Sequence, residues 1–258
     1  MVTYNDIQRR EIFHFLFLEE LLRISNAKLY VVKGGVNLRF FFRSPRYSED
    51  MDLDVLAGNV ATLKTNGYKI LESAPFKRSL QTYGINSLEI NEPNKGKHTE
   101  ITQRFRLRLI TEAGESLPTK VEFSRRGSDE LPYSLEKTDP AIANPYQRLA
   151  FRCQHYTGET AAIQKVLALA GRTVTQARDV FDLNILHAGG FVKPGPIVKH
   201  LKKEVLKKAI DQLHSLGFDE YNGQVVEFLD ENARARYETR DAWADMKKTI
   251  LKVLTHEK

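Results

Sequence analysis

Lys33-Gly-Gly-Val-Asn-Leu-Arg39, followed shortly by Ser48-Glu-Asp-Met-Asp-Leu-Asp-Val55, is the stretch on which the fold turns. A short apolar run, Leu29 to Val32, stops at Gly34-Gly35. This reads as a strand turning into a helix over Val36 to about Phe42. A glycine pair that opens a helix offers bare backbone amides to a phosphate and tolerates positive φ. Further on, Asp50, Asp52 and Asp54 alternate with Met51, Leu53 and Val55. A strand over Met51 to Leu56, with Asp50 directly before it, then buries one face and lines the other with the three carboxylates, roughly 6.5–7 Å apart. Two carboxylates at that spacing can converge on a cation, and the two metal ions of phosphoryl-transfer sites lie about 3.5–4 Å apart. Without a cation the cluster repels itself and raises its own pKa values. The plainer alternative is a solvated acidic face that discourages edge-to-edge pairing.

Working outward, Asn5 to Ile24 carries Ile7, Ile12, Phe15, Leu16, Leu18 and Leu22 at helical spacing, with Asp6 near its start. Asn59 to Asn66 reads as a helix capped by Asn59 and stopped at Gly67. The stretch Glu72 to Lys97 gives no clear period, and Asn91-Glu-Pro-Asn-Lys-Gly has loop chemistry. Arg104, Arg106 and Arg108 alternate with Phe105, Leu107 and Leu109; with Thr119 to Ser124 they predict a hairpin turning through Gly114 and Pro118. Asp139 to Pro145 contains two prolines and marks a domain boundary. Beyond it the segments Pro145–Tyr156, Glu159–Ala170, Thr175–His187, Pro196–Leu216 and most of Asp219–Leu254 read as helices.

The chain has 258 residues, 41% hydrophobic and 28% charged, as expected of a soluble globular protein. Its apolar run Ile12 to Leu22 is broken by His14, Glu19 and Glu20 and is too short to span a bilayer. The first ten residues lack a signal-peptide core. One cysteine, Cys153, makes no internal disulfide, so a reducing, cytoplasmic setting is expected. A net charge of +6 favours polyanionic partners. The basic residues crowd Arg104 to Arg108, Arg125-Arg126 and a run of Lys199, Lys202, Lys203, Lys207 and Lys208. That run either contacts RNA phosphates or is a solvated helix face. Zinc-site spacing, a Gly-x-Ser-x-Gly nucleophile and a Walker lysine are not found.

The two opening motifs, extended to Ser44-Pro-Arg-Tyr-Ser-Glu-Asp-Met-Asp-Leu-Asp-Val55, closely resemble the AbiEii/AbiGii toxin family of polymerase-beta-like nucleotidyltransferases. The resemblance extends through Lys120-Val-Glu-Phe-Ser-Arg-Arg, Gln164-Lys-Val-Leu-Ala-Leu, Arg172 and Ala177-Arg-Asp-Val-Phe-Asp-Leu183. It implies an α+β fold: an N-terminal polymerase-beta-like nucleotidyltransferase domain with a mixed sheet over residues 1–140, and a helical domain over 141–258. It further implies that Asp50, Asp52 and Glu122 hold two Mg²⁺ ions, with Mn²⁺ the alternative ion, while the role of Asp54 stays open. Gly34 and Gly35, with the Ser48 hydroxyl, would hold the nucleotide phosphates. Lys165, Arg172 and Arg178 would supply cations to the triphosphate, Lys165 facing Asp50 and Asp52, and Asp179 would support them.

The activity so implied is transfer of a nucleotide from an NTP to an acceptor, expected to be RNA such as tRNA. The biological setting would be a toxin–antitoxin or phage-defence locus with an antitoxin encoded nearby. Two other readings compete. One is a catalytically silent nucleotide- or RNA-binding protein of the same fold; the other is a metal-dependent phosphodiester hydrolase, since paired carboxylates serve both chemistries.

Overall fold

A computed structural model describes residues 3–91, 99–125, 131–192 and 200–255. The loop-like stretch after Asn91, Arg126 and the lysine run's first member, Lys199, lie outside the described residues. The chain divides into two compact units. The first holds residues up to Phe41 together with Tyr47–Tyr156, and the second holds Phe42–Arg46 and the chain from Thr157 onward. The proline-based boundary at 140/141 thus falls inside the first unit.

That unit is a seven-stranded mixed sheet in the order β3-β4-β5-β2-β1-β7-β6. Its strands are β1 (Tyr30–Lys33), β2 (Asp50–Val55), β3 (Ile85–Ile90), β4 (Thr102–Thr111), β5 (Ser116–Ser124), β6 (Tyr133–Lys137) and β7 (Arg152–Tyr156). The pairs β2/β5 and β1/β7 are parallel and the others antiparallel. Helix α1 (Asp6–Ile24) opens with a capping box between Asn5 and Gln8. It buries Ile12, Phe13, Phe15, Leu16, Phe17, Leu18 and Leu21 among the inward residues Met51, Leu53, Val121 and Phe123 of the central strands. Two polar groups of α1 are buried as well, and both are paired. Glu11 takes Arg39 Nε at 2.5 Å and the Tyr146 hydroxyl at 2.7 Å, and His14 reaches the Thr119 hydroxyl at 2.9 Å.

Helix α2 (Gly34–Phe41) leaves β1 without a loop. Its Asn37 amide donates to the Tyr156 carbonyl, and its Oδ1 lies 3.0 Å from His155 Nδ1, which ties α2 to β7. Helix α3 (Val60–Glu72) is capped by Asn59 as expected, but it runs straight through Gly67. The reason is steric: a Cβ at Gly67 would lie 2.3 Å from Phe105 Cζ of β4. Gly67 is therefore a contact, not a stop. Helix α4 (Ala74–Gln81) and β3 occupy the stretch that showed no clear period, and α5 (Pro140–Ala143) fills the proline-rich one. The helix expected over Pro145–Tyr156 is instead a 3₁₀ turn at Asn144–Tyr146 followed by β7. Strand pairing with β1 and β6 overrides the local pattern there.

The second unit is helical: α6 (Gly158–Gly171), α7 (Ala177–Ala188), α8 (Lys203–Ser215), α9 (Phe218–Gln224), α10 (Glu231–Tyr237) and α11 (Arg240–Thr255). Val166, Leu169, Val180, Phe181, Leu206, Leu213 and Ile250 are buried in it. Trp243, the chain's one tryptophan, stacks on Tyr221 at 4.5 Å. No helix among the described residues is long and apolar enough to cross a membrane.

Gly67→Ala gains helix propensity worth about 1 kcal/mol but overpacks a rigid buried ring, which costs typically ~1–3 kcal/mol. The expected net result is a loss of stability, read as faster amide hydrogen exchange in α3 and β4. Unchanged or slower exchange would show that Phe105 yields freely.

Candidate active site

The acidic strand has a clear neighbourhood. The register sets Lys33 of β1 beside Asp52 of β2, Asp52 beside Glu122 of β5, and Glu122 beside Arg104 of β4. This row crosses four strands on one face of the sheet, with two carboxylates in the middle and a cation at each end. Above it Asp50 is paired with Lys120, and below it Asp54 with Ser124. Same-face neighbours on adjacent strands stand roughly 4.5–5.5 Å apart at Cβ, where like charges destabilise unless answered.

Neighbouring side chains supply most of the answers. Lys120 Nζ donates to Asp50 Oδ2 at 2.8 Å. Arg104 Nε donates to Glu122 Oε2 at 2.5 Å. Lys33 Nζ donates to Asp54 Oδ1 at 2.5 Å, and the Tyr156 hydroxyl donates to Asp54 Oδ2 at 2.8 Å. Asp54 is thus buried between two donors, so Lys33 is a structural partner as well as a neighbour of Asp52. Asp52 is the odd one out. Burial, with Asp50 and Glu122 adding repulsion, pushes its carboxyl above the usual range, against the pull of Lys120 and Lys33. For Glu122 burial works in the same direction but loses. The Arg104 hydrogen bond and charge, with Lys120 and Lys33, hold it below the usual range.

The glycine pair explains the placement of Asp52. Gly34 has φ +69°, and a Cβ there would come within 3.1 Å of Asp52 Oδ2. The carboxylate therefore rests against bare backbone where α2 begins, at the end of the helix dipole that favours negative charge. Gly35 follows inside the first turn of α2. The Ser48 hydroxyl is engaged by the Asp50 carbonyl at 2.8 Å and shapes the entry to β2. Thr119 donates to the Glu49 carbonyl, so its oxygen accepts from His14 Nε2. Burial drives the His14 pKa down to about 4, partly offset by the nearby Asp50.

The donor chemistry fits a hard divalent cation: three carboxylates on adjacent strands, one of them under-neutralised. Their side chains do not converge as a ready-made ligand set; among the described residues no group of three His, Cys, Asp or Glu does. Asp50 and Glu122 are instead turned to Lys120 and Arg104.

The remaining expected residues lie in the second unit. Lys165 of α6 is buried and donates to Asp179 at 3.1 Å and Asp182 at 2.5 Å. Arg172 is the C-cap of α6, and its Nε reaches Asp179 at 2.8 Å. Arg178 is partly buried on α7. Asp182 is also gripped by Arg46 at 3.0 Å. Burial alone would raise Asp182, but Arg46 and Lys165 hold its carboxyl below the usual range. Lys202, Lys203, Lys207 and Lys208 are exposed at the start of α8.

Sequence reasoning missed Lys120, Arg104, Tyr156 and Arg46. Lys120 and Arg104 were legible in principle, since each sits two residues from a same-face position. Arg46 was not, because its partner lies 136 residues away.

A mixed sheet with a strand–Gly-Gly–helix entrance beside an acidic strand is the nucleotidyltransferase fold. The chain belongs to the AbiEii family, described as nucleotidyl transferase toxins of type IV toxin–antitoxin systems, whose model matches residues 16–257. Among solved structures it is similar to MenT4, a nucleotidyltransferase toxin of Mycobacterium tuberculosis. That match has 19% identity and a TM-score of 0.60, covering 98% of this chain and 85% of the other. It is also similar to JHP933 from Helicobacter pylori, with 16% identity and a TM-score of 0.50, covering 99% and 96%. No protein of curated function matches the sequence.

Two measurements probe these networks. His14, lowered from 6.5 to about 4, binds its proton more readily when unfolded. Its contribution is complete above pH 6.5 and is lost as the pH falls through 4, about 3 kcal/mol in all. His14→Gln should flatten the acid side of the stability curve; an unchanged curve would place the loss elsewhere. Lys165→Met should destabilise the second unit by about 2 kcal/mol, less than the ~3–5 kcal/mol of an orphaned buried charge, since both aspartates keep an arginine. Trp243 fluorescence in urea reads this directly, and a wild-type midpoint would contradict it.

Proposed function

We propose that this protein transfers a nucleotide from an NTP to an RNA acceptor, such as tRNA, in a metal-dependent reaction. We further propose that it is the toxin partner of a nearby-encoded antitoxin, acting in the cytoplasm. The observation that carries the reading is the Lys33–Asp52–Glu122–Arg104 row with Asp52 set against Gly34. Asp50, Asp52 and Glu122 would hold two Mg²⁺ ions, or Mn²⁺. Bound there, the ions neutralise phosphate charge and activate the acceptor hydroxyl.

The chain's own residues do the rest. Gly34 and Gly35 amides at the start of α2 receive phosphate oxygens. Lys33, anchored by Asp54, which Tyr156 holds in turn, keeps a fixed positive charge next to Asp52. Lys120 and Arg104 hold the Asp50 and Glu122 carboxylates in place. From the second unit, Lys165, Arg172 and Arg178 are the candidates for triphosphate binding, and Asp179 fixes the first two. Cys153, buried and with its thiol pushed up to about 12, plays no nucleophilic part.

The test is incubation with total RNA, Mg²⁺ and each labelled NTP in turn. Incorporation with pyrophosphate release is expected. Asp52→Asn or Asp50→Asn should lose at least ~100-fold, the scale of removing one main electrostatic element of a site, with wild-type folding. Cleavage of RNA without incorporation would favour the hydrolase, and binding without either would favour the silent protein.

A further inference from the structure

Beside Asp50, a depression of about 400 Å³ opens between β2, β4 and β5. Its lining includes Glu49, Asp50, Arg106, Arg108, Pro118 and Lys120. Resting on the transfer reading above, we propose that this depression seats the acceptor. The acceptor would be the 3′ end of a single-stranded RNA, its phosphates on Arg106 and Arg108 and its terminal hydroxyl directed at Asp50.

Three observations lead there. The first is direction. In phosphoryl transfer the attacking and leaving oxygens stand roughly in line across the phosphorus. The phosphate-binding glycines lie on the β1 side of the carboxylates, and the sheet order places β5 and then β4 on the opposite side. With pyrophosphate leaving toward α2, the attacking hydroxyl arrives over β5 and β4.

The second is charge. Arg104, Arg106 and Arg108 all project to the carboxylate face, because their partners are Glu122, Lys120 and Pro118. Arg104 is committed to Glu122 and Lys120 to Asp50. Arg106 is exposed and makes no ion pair among the described residues. Arg108 has only a loose 3.8 Å contact with Glu89, both side chains more than 60% exposed. Two arginines two residues apart on a strand stand roughly 6.5–7 Å apart, comparable with consecutive phosphates of an extended polynucleotide. Glu49 on the rim is the one acidic lining residue besides Asp50.

The third is size. A depression of this volume is at the small end of ligand sites, enough for about one nucleotide unit and too small for a duplex. Pro118 gives it an apolar surface for a ribose or base.

The test measures binding of a short labelled single-stranded RNA to the full chain in EDTA, across a salt series. The proteins compared are wild type, Arg106→Gln/Arg108→Gln, and Lys202→Gln/Lys203→Gln among the exposed lysines at the start of α8. The arginine variant should bind about tenfold more weakly at low salt, and its salt slope should fall by roughly 0.7 for each phosphate no longer neutralised. Its affinity for each NTP should be unchanged. RNA binding equal to wild type overturns the proposal, as does weakening confined to the lysine variant. Weaker NTP binding in the arginine variant also overturns it, because the depression would then hold the triphosphate. No turnover enters this measurement. RNA binding through Arg106 and Arg108 by a protein that incorporates no nucleotide would therefore overturn the transferase reading and leave the surface standing.

Discussion

Two carboxylates at the same register on neighbouring parallel strands are the constraint around which the first unit is arranged. Asp52 and Glu122 face each other across β2 and β5, partly removed from water. Such a pair is tolerated only if the flanking strands carry opposite charge at matching positions. β1 ends in Lys33, beside Asp52 though bonded to Asp54, and β4 presents Arg104 to Glu122. The residue after Lys33 is a glycine at φ +69°, a conformation L side chains rarely adopt, and a Cβ there would crowd the Asp52 carboxylate at 3.1 Å. The sequence motif thus records a packing condition and an electrostatic one at the same point.

The second unit solves a similar problem by other means. Asp179 and Asp182 are fully buried, and Lys165 of α6, Arg172 at its C-cap and Arg46 from the early part of the chain converge on them. Buried ion networks of this kind contribute little net stability compared with apolar packing. What they supply is geometry: each aspartate is held by two cationic side chains. Lys165 is thereby held between two buried carboxylates.

Much of this was legible locally. The alternation in Asp50–Val55 fixed a strand with an acidic face, and Asn5 and Asn59 announced helix starts that the structure retains. Resemblance to the AbiEii family, carried by those motifs, agrees with the match over residues 16–257. The failures share a physical cause. β6 and β7 form because they pair with each other and with β1, and neither shows a decisive period of its own. Gly67 looked like a helix stop because its partner, Phe105, is remote in sequence. In each case the deciding interaction is long-range, and a window of neighbouring residues does not contain it.

The brief passage of residues 42–46 into the second unit has a consequence for how such proteins diversify. Arg46 enters that unit from the early part of the chain and grips Asp182, while Phe42 packs edge-on against Phe191. A genetic exchange that replaced everything from Thr157 onward would import a new helical partner but leave the old Phe42–Arg46 behind. The incoming aspartate would then meet an arginine selected for a different neighbour. The two segments of the second unit are therefore a matched set, and a chimera is expected to fold best when this short early segment travels with the late one.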